Sequence, residues 1–440
     1  MKNPRLTYVI PIVSVILLLL VFFKCSLFSS NADSARYMLS ALVQSEAAII
    51  AIVITLSLVA VQLASASYSP RAIQVFKKAP DLWVLTSLYI VAIASGLAVL
   101  KIVDESHMSD FEPFIALSYF LGIFCFTLLI PYIYRMFYLL KPETIINKLS
   151  EEIDIDSLTE EDYLRPIMDV VRSSLMKYDY ETARHGLRII EVKMCYILKK
   201  KSIGKSKAEA ISKSAYKKLY RLGLLAVGRE DEYSIIDIIS CIKGIGKAPI
   251  VEKESKIFEE VISGASTKIG YIGRTAAKKG LLMSPHSAIM ALGELGRLSG
   301  SKMLDRATWV AEHYIWEIGK IIVEDAEKAT LGIQVLFGSL KEIGTVAMEN
   351  GMENEARRAA KYLGKLVIEA RNMEDQELQI VVRDVMTFFK EILKDDTDKS
   401  LRGPRLTAIK YLRKIIRIVK DRKLDIDISE TRRLLAQFEG

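Results

Sequence analysis

Residues 47–67 read AAIIAIVITLSLVAVQLASAS, an uncharged run of 21 positions. A helix needs about 20 apolar residues to cross a hydrocarbon core of ~30 Å, so this stretch is long enough to span a bilayer. Three more stretches of the 440-residue chain share its character: about Leu6 to Phe23, Leu82 to Val103, and Phe114 to Leu140. Four spans are therefore expected, forming a transmembrane domain over residues 1–142. A charged domain follows over 143–440.

The first stretch starts on Lys2 and Arg5, ends at Lys24, and lacks a small-x-small cleavage pattern. It reads as a retained signal anchor. Loop charges set the orientation. Arg71, Lys77 and Lys78 lie between the second and third spans, whereas Asp104, Glu105, Asp110 and Glu112 separate the third from the fourth. Positive charge stays inside, so both termini are expected in the cytoplasm of a multi-pass protein of the cell membrane.

Few ionisable groups fall in the spans. Lys24, Glu46, Lys101 and Arg135 are placed near span ends, where they can snorkel. That argues against proton-coupled transport and voltage sensing, which use deep charges. Ser57 and Gln62 lie deeper, as candidate helix-packing or pore-lining residues. Ala60 and Ala64, and Ala92 and Gly96, have the four-residue spacing of close helix packing. Pro131 is expected to kink the fourth span, and Tyr132, Tyr134, Phe137 and Tyr138 to form an interfacial belt.

After the second span the chain reads Gln62-Leu63-Ala64-Ser65, then Tyr68-Ser69-Pro70-Arg71. Ser69-Pro70 disfavours continued helix, and Arg71 falls where membrane meets cytoplasm. This membrane-interface elbow reads as structural punctuation, a headgroup contact, or a coupling point to the soluble domain.

Residues 45–78, with these motifs and Phe76, resemble a prokaryotic family of predicted membrane proteins known as domain of unknown function 2254. A fainter likeness is Leu282-Met283-Ser284-Pro285 with Ala288 and Leu292. The family places Asn-Asp-Pro after that Ser-Pro, and this chain has His286-Ser287. The resemblance implies a membrane location and a long cytoplasmic region. It implies no activity.

Beyond residue 140 the chain carries 52 basic and 46 acidic residues. Such charge density belongs to a water-exposed domain, and its mild excess of positive charge suits anionic headgroups better than nucleic acid. The periodicity is helical. An Ile-Gly or Leu-Gly pair ends at Gly204, Gly223, Gly246, Gly270, Gly296, Gly319, Gly344 and Gly364, at intervals of 19 to 26 residues. One helix plus a turn fits each interval, and two make a helical hairpin. The fold class expected is all-α: a four-helix transmembrane unit, then a HEAT-like solenoid or an irregular helical bundle. The glycines serve either close helix packing or helix termination.

Chemistry is hard to find. Gly204-Lys205-Ser206 lacks the glycine five residues upstream that a phosphate loop requires, and Lys199 stands there. His313 and Glu317 share a helix face but have no evident further ligands. The four cysteines are scattered, as free thiols of a reducing compartment. No cofactor, catalytic group or metal site is expected. Lys199, Lys200, Lys201, Lys205 and Lys207 open a basic run that is either a solvated face or an anionic-lipid patch. The leading reading is a membrane-anchored helical scaffold that contacts the lipid bilayer and a protein partner or a second copy. The alternative is an oligomeric channel or transporter gated by the helical domain.

Overall fold

A computed structural model describes residues 32–67, 81–103, 108–151, 153, 164–200, 203–251, 259–324, 326–394 and 402–438. The apolar run at 6–23, the Tyr68–Arg71 elbow, Lys201 and Cys25 lie outside these residues. Among the described residues the regular structure is helical, with sixteen α-helices. The chain divides into two units, Met1–Leu149 and Ser150–Gly440.

In the first unit α1 (Ala32–Ser67), α2 (Asp81–Ile102) and α3 (Met108–Leu139) pack on one another, and the division falls near the end of α4 (Pro142–Glu151). These first three are long and apolar enough to cross a membrane. Ile52, Leu56, Leu63, Trp83, Ile90 and Ile130 stay exposed on their outer faces. Water is a poor solvent for such a surface, whereas hydrocarbon is a good one. Both ends of the unit are clasped by polar contacts. Arg135 pairs with Asp81 at 2.7 Å, and Arg36 donates to the Val103 carbonyl.

Two expectations change here. Helix α1 begins at Ala32, fifteen residues before the apolar run. Ala32, Ala35, Leu39 and Val43 are buried at three- and four-residue spacing, and the polar residues between them dilute the hydropathy. Glu46 continues that inward stripe close to the midpoint of the helix and is 1% exposed. It is therefore not a snorkelling residue at a span end. Tyr132 also departs from the expected belt: it is buried and turned inward, while Tyr134 and Phe137 remain exposed.

The second unit holds α5 (Arg165–Met176), α6 (Tyr180–Lys199), α7 (Lys205–Gly228), α8 (Glu232–Lys247), α9 (Glu259–Lys278) and α10 (Met283–Ser301). It continues through α11 (Asp305–Glu324), α12 (Ala326–Glu349), α13 (Glu353–Glu369), α14 (Asp375–Lys394), α15 (Arg402–Asp421) and α16 (Ser429–Ala436). From α7 to α14 each helix packs against the next and the next but one, and no pair farther apart in order packs extensively. That is the contact rule of a stacked repeat, in which each unit touches only its neighbours. Helices α7, α9, α11, α13 and α15 form one layer, and the even-numbered helices from α6 form the other.

The repeated glycines serve packing. From Gly223 to Gly364 each lies within a helix, against a side chain of one of the next two helices. Gly270 is the tightest case. A Cβ there would stand 2.6 Å from Tyr314 Cβ, on the neighbouring helix of its own layer. Gly364 repeats this against Tyr411 Cβ at 2.7 Å. Six helices end elsewhere, at residues with positive φ: Tyr178, Glu230, Gly280, Met303, Gly351 and Lys423. At each, the next residue's N–H reaches the carbonyl five positions back, as Asp231 does to Ala226 at 3.1 Å and Met352 to Ala347 at 2.8 Å. This is the Schellman stop.

Helix starts are tied across the layers' repeats. Glu232, opening α8, accepts from Ser284 N at 2.6 Å at the start of α10. Glu259 of α9 accepts from Arg306 N at 2.8 Å in α11. Glu353 of α13 accepts from Gly403 N at 2.9 Å in α15. Each carboxylate satisfies an orphan N–H two helices on, at the positive end of that helix's dipole.

Candidate functional site

The residues singled out from the sequence scatter. Ser57 is buried, its Oγ 2.5 Å from the Tyr132 hydroxyl on α3 and donating to Val53 O at 2.7 Å. Gln62 is exposed on α1. Lys199, Lys200, Lys205 and Lys207 lie around the turn between α6 and α7. Lys200 sits over the Tyr196 ring at 5.1 Å, and Lys205 pairs with Glu209 at 3.9 Å. Further along α7 the exposed stripe continues through Lys213, Lys217 and Arg221. His313 and Glu317 approach to 3.9 Å, and among the described residues no group of three donors could hold a metal. Cys125, Cys195 and Cys241 are free thiols.

A groove the sequence did not disclose lies along one layer of the array. It encloses about 590 Å³. Helix α7 contributes Ser212, Lys213 and Tyr216; α9 contributes Glu260, Ser263 and Lys268; α11 contributes Arg306, Trp309 and His313. With Glu209, Gly264 and Thr267, which also line it, the lining positions step along each helix by three or four residues, so one face of each helix forms the groove. Gly264 leaves room for the Tyr216 ring, whose edge would lie 3.3 Å from a Cβ there.

The groove walls are polar in an unusual way. Ser212, Tyr216 and Ser263 are 1%, 2% and 4% exposed, and their hydroxyl oxygens have no hydrogen-bond partner. Their oxygens are closed off from the groove itself, so these side chains back its wall while the charged and aromatic residues form its surface. Burial raises the Tyr216 phenol well above its ordinary value, with the Cys195 and Cys241 thiols adding to the effect. The hydroxyl is therefore a neutral donor. Arg306 is held by Glu260. Lys268 rests over Tyr220 at 5.0 Å and Tyr271 at 5.6 Å, and Lys213 stands exposed at the rim. Trp309 stacks on His313 with ring centres 5.9 Å apart. The groove offers two ammonium groups without a carboxylate partner among the described residues and an aromatic wall, with the Glu209 and Glu260 carboxylates also on its lining.

Deeper in the array, Glu312 of α11 is fully buried. Its carboxyl faces Arg358 Nε at 3.6 Å, and Arg358 also bonds Glu355. Burial raises Glu312 well above the usual carboxylate range, Arg358 opposes that, and Glu355 reinforces it. Two carboxyls share one guanidinium here.

The first unit has the features of a membrane protein: long, outwardly apolar helices clasped at their ends. Residues 4–182 match the family described as a predicted membrane protein, DUF2254. The likeness read around residues 45–78 is thus part of a longer match, running through the apolar helices into the start of α6. No curated protein matches the chain. A solved structure titled "Circular tandem repeat protein with novel repeat topology and enhanced subunit contact surfaces" aligns with 13% identity and a TM-score of 0.37. The alignment covers 92% of this chain and 95% of that one.

Proposed function

We propose that the protein is a membrane-anchored helical scaffold whose array receives an acidic segment of a protein partner in the α7–α9–α11 groove. One observation carries this reading: Lys213 and Lys268 bring two ammonium groups to one groove beside Trp309 and His313. Stacked helical repeats present extended surfaces of this kind to partners. In the same reading the chain spans the cell membrane with both termini in the cytoplasm. Lys199, Lys200, Lys205 and Lys207 lie against anionic lipid, and Ser57 holds α1 to α3.

The test is a titration of the detergent-solubilised full chain with acidic peptides, read by tryptophan emission. The chain holds three tryptophans, of which Trp309 lines the groove. Salt-sensitive binding that Lys213→Glu with Lys268→Glu abolishes supports the scaffold. Absence of peptide binding, together with an ion conductance in liposomes that Gln62→Leu abolishes, overturns it in favour of a gated channel.

A further inference from the structure

Glu46 carries chemistry that the scaffold reading does not use. Its carboxyl sits on the inner stripe of α1, between Val43 and Val53, in a unit whose outer faces are largely apolar, with Gln44 and Ser45 the exposed polar residues beside it. The notch that Gly122 leaves on α3 admits it: a Cβ at that glycine would stand 2.7 Å from Glu46 Oε1 and 2.8 Å from Leu42 Cδ1. Both carboxyl oxygens lack a hydrogen-bond partner. Two other titratable groups share the interior and lie within electrostatic range of Glu46: Tyr89 on α2 and Cys125 on α3. Both are 0% exposed, and the Tyr89 hydroxyl is likewise unpartnered.

No described basic group neutralises this carboxyl. Arg36 on the same helix is spent on the Val103 carbonyl, about 15 Å along the axis at 1.5 Å per residue. Arg135 on α3 is paired with Asp81 of α2, and Lys101 on α2 is exposed. Tyr89 and Cys125 supply no positive charge. An uncompensated carboxylate in such surroundings costs several kcal/mol. Ionisable residues inside membrane segments are rare for that reason, and they mark ion and proton paths. The counter-charge that fits a space this small, among one carboxyl, one phenol and one thiol, is a proton.

We propose that Glu46, Tyr89 and Cys125 form a proton-binding site inside the three-helix unit, with Glu46 taking up and releasing the proton. Tyr89 and Cys125 act on the carboxyl through the field of the closed interior, with no hydrogen bond to it. The site is independent of the groove in the array, so its failure leaves the scaffold reading untouched. It rests on the placement of α1, α2 and α3 in a membrane.

The experiment uses the full chain in lipid vesicles and an apolar carbodiimide, dicyclohexylcarbodiimide, which adds to protonated carboxyl groups in apolar surroundings. Peptide mapping locates the adduct. The expected result is modification at Glu46 that falls as the buffer goes from mildly acidic to alkaline. Once the site has titrated, the yield falls about tenfold per pH unit, as loss of a single proton requires. Glu46→Gln removes the adduct while the protein keeps its melting temperature, since an amide resembles the protonated acid. Tyr89→Phe keeps the adduct and shifts its pH profile. Absence of an adduct at Glu46 at every pH, or an adduct independent of pH, refutes the proposal. So does a large fall in melting temperature for Glu46→Gln, which would mark a fixed ion pair.

Discussion

Replacing Gly270 with alanine tests the close approach of α9 to α11. The new Cβ would lie 2.6 Å from Tyr314 Cβ, whereas unstrained carbon atoms sit about 3.5–4.0 Å apart. The shortfall is about 1 Å at an atom fixed to the α11 backbone, so a rotamer change cannot relieve it. The Tyr314 ring has little freedom either: it is 8% exposed and packs edge-on against Tyr271 at 5.3 Å and His313 at 5.4 Å. Overpacking of this kind costs about 1–3 kcal/mol, against about 1 kcal/mol gained in helix propensity. Gly338 of α12 supplies the control, because nothing lies within 4 Å of its added Cβ. Gly338→Ala keeps the propensity gain without the clash. The two variants should therefore differ by about 1–3 kcal/mol, several degrees in Tm at about 2–4 °C per kcal/mol for a large domain. Urea and thermal unfolding of the full chain in mild detergent, followed by helical circular dichroism, measures this. If Gly270→Ala proves as stabilising as Gly338→Ala, the glycines are not packing notches and the account of the repeat is wrong.

Glu353→Ala leaves the start of α15 without its acceptor and should cost about 1 kcal/mol in the same unfolding assay, as lost helix caps do; no loss would show that the Gly403 N–H contact is dispensable. Met303 holds positive φ with its side chain 52% exposed, so Met303→Gly should raise stability by up to about 1 kcal/mol, and a lower Tm would refute the strain. Because the Glu312 carboxyl is raised in the folded state by burial, its contribution is complete below its unfolded value near 4.5 and is lost as pH climbs through the raised one. Wild type should therefore lose stability toward alkaline pH, and Glu312→Gln should flatten that slope; parallel slopes would show that the group is charged in the fold. Tyr132→Phe removes the partner of Ser57 and should lower detergent-state stability by about 0.6 kcal/mol, the average for hydrogen bonds between membrane helices.

The all-helical array was legible because its hydrophobic period is local. Ile315, Ile318 and Gly319 lie on one turn of one helix, and their spacing shows without a partner. What the Ile-Gly pair does was not legible, since a stop and a notch look alike until the facing Tyr314 is in place. Of the six positive-φ stops two are glycines, Gly280 and Gly351, but four fall on Tyr178, Glu230, Met303 and Lys423, residues with no preference for positive φ, where the tertiary fold overrides propensity. The groove escaped notice because Ser212, Ser263 and Trp309 are roughly fifty residues apart and meet only when three hairpins stack. Glu46 was misplaced for a simpler reason. Hydropathy marks where a helix becomes apolar, and α1 begins well before that point.

The cross-repeat carboxylates give the array a grain. In all three pairs the acceptor precedes the helix it serves: Glu232 serves Ser284, Glu259 serves Arg306, and Glu353 serves Gly403. Cations tie the other helix ends in the opposite sense: Arg229 donates to the Met176 carbonyl, Lys279 to Gly228 O and Arg422 to Met373 O, each reaching back to the end of an earlier helix. A cut on either side therefore strips a surviving helix end of a partner, its first acceptor when N-terminal repeats are lost and its last donor when C-terminal ones are.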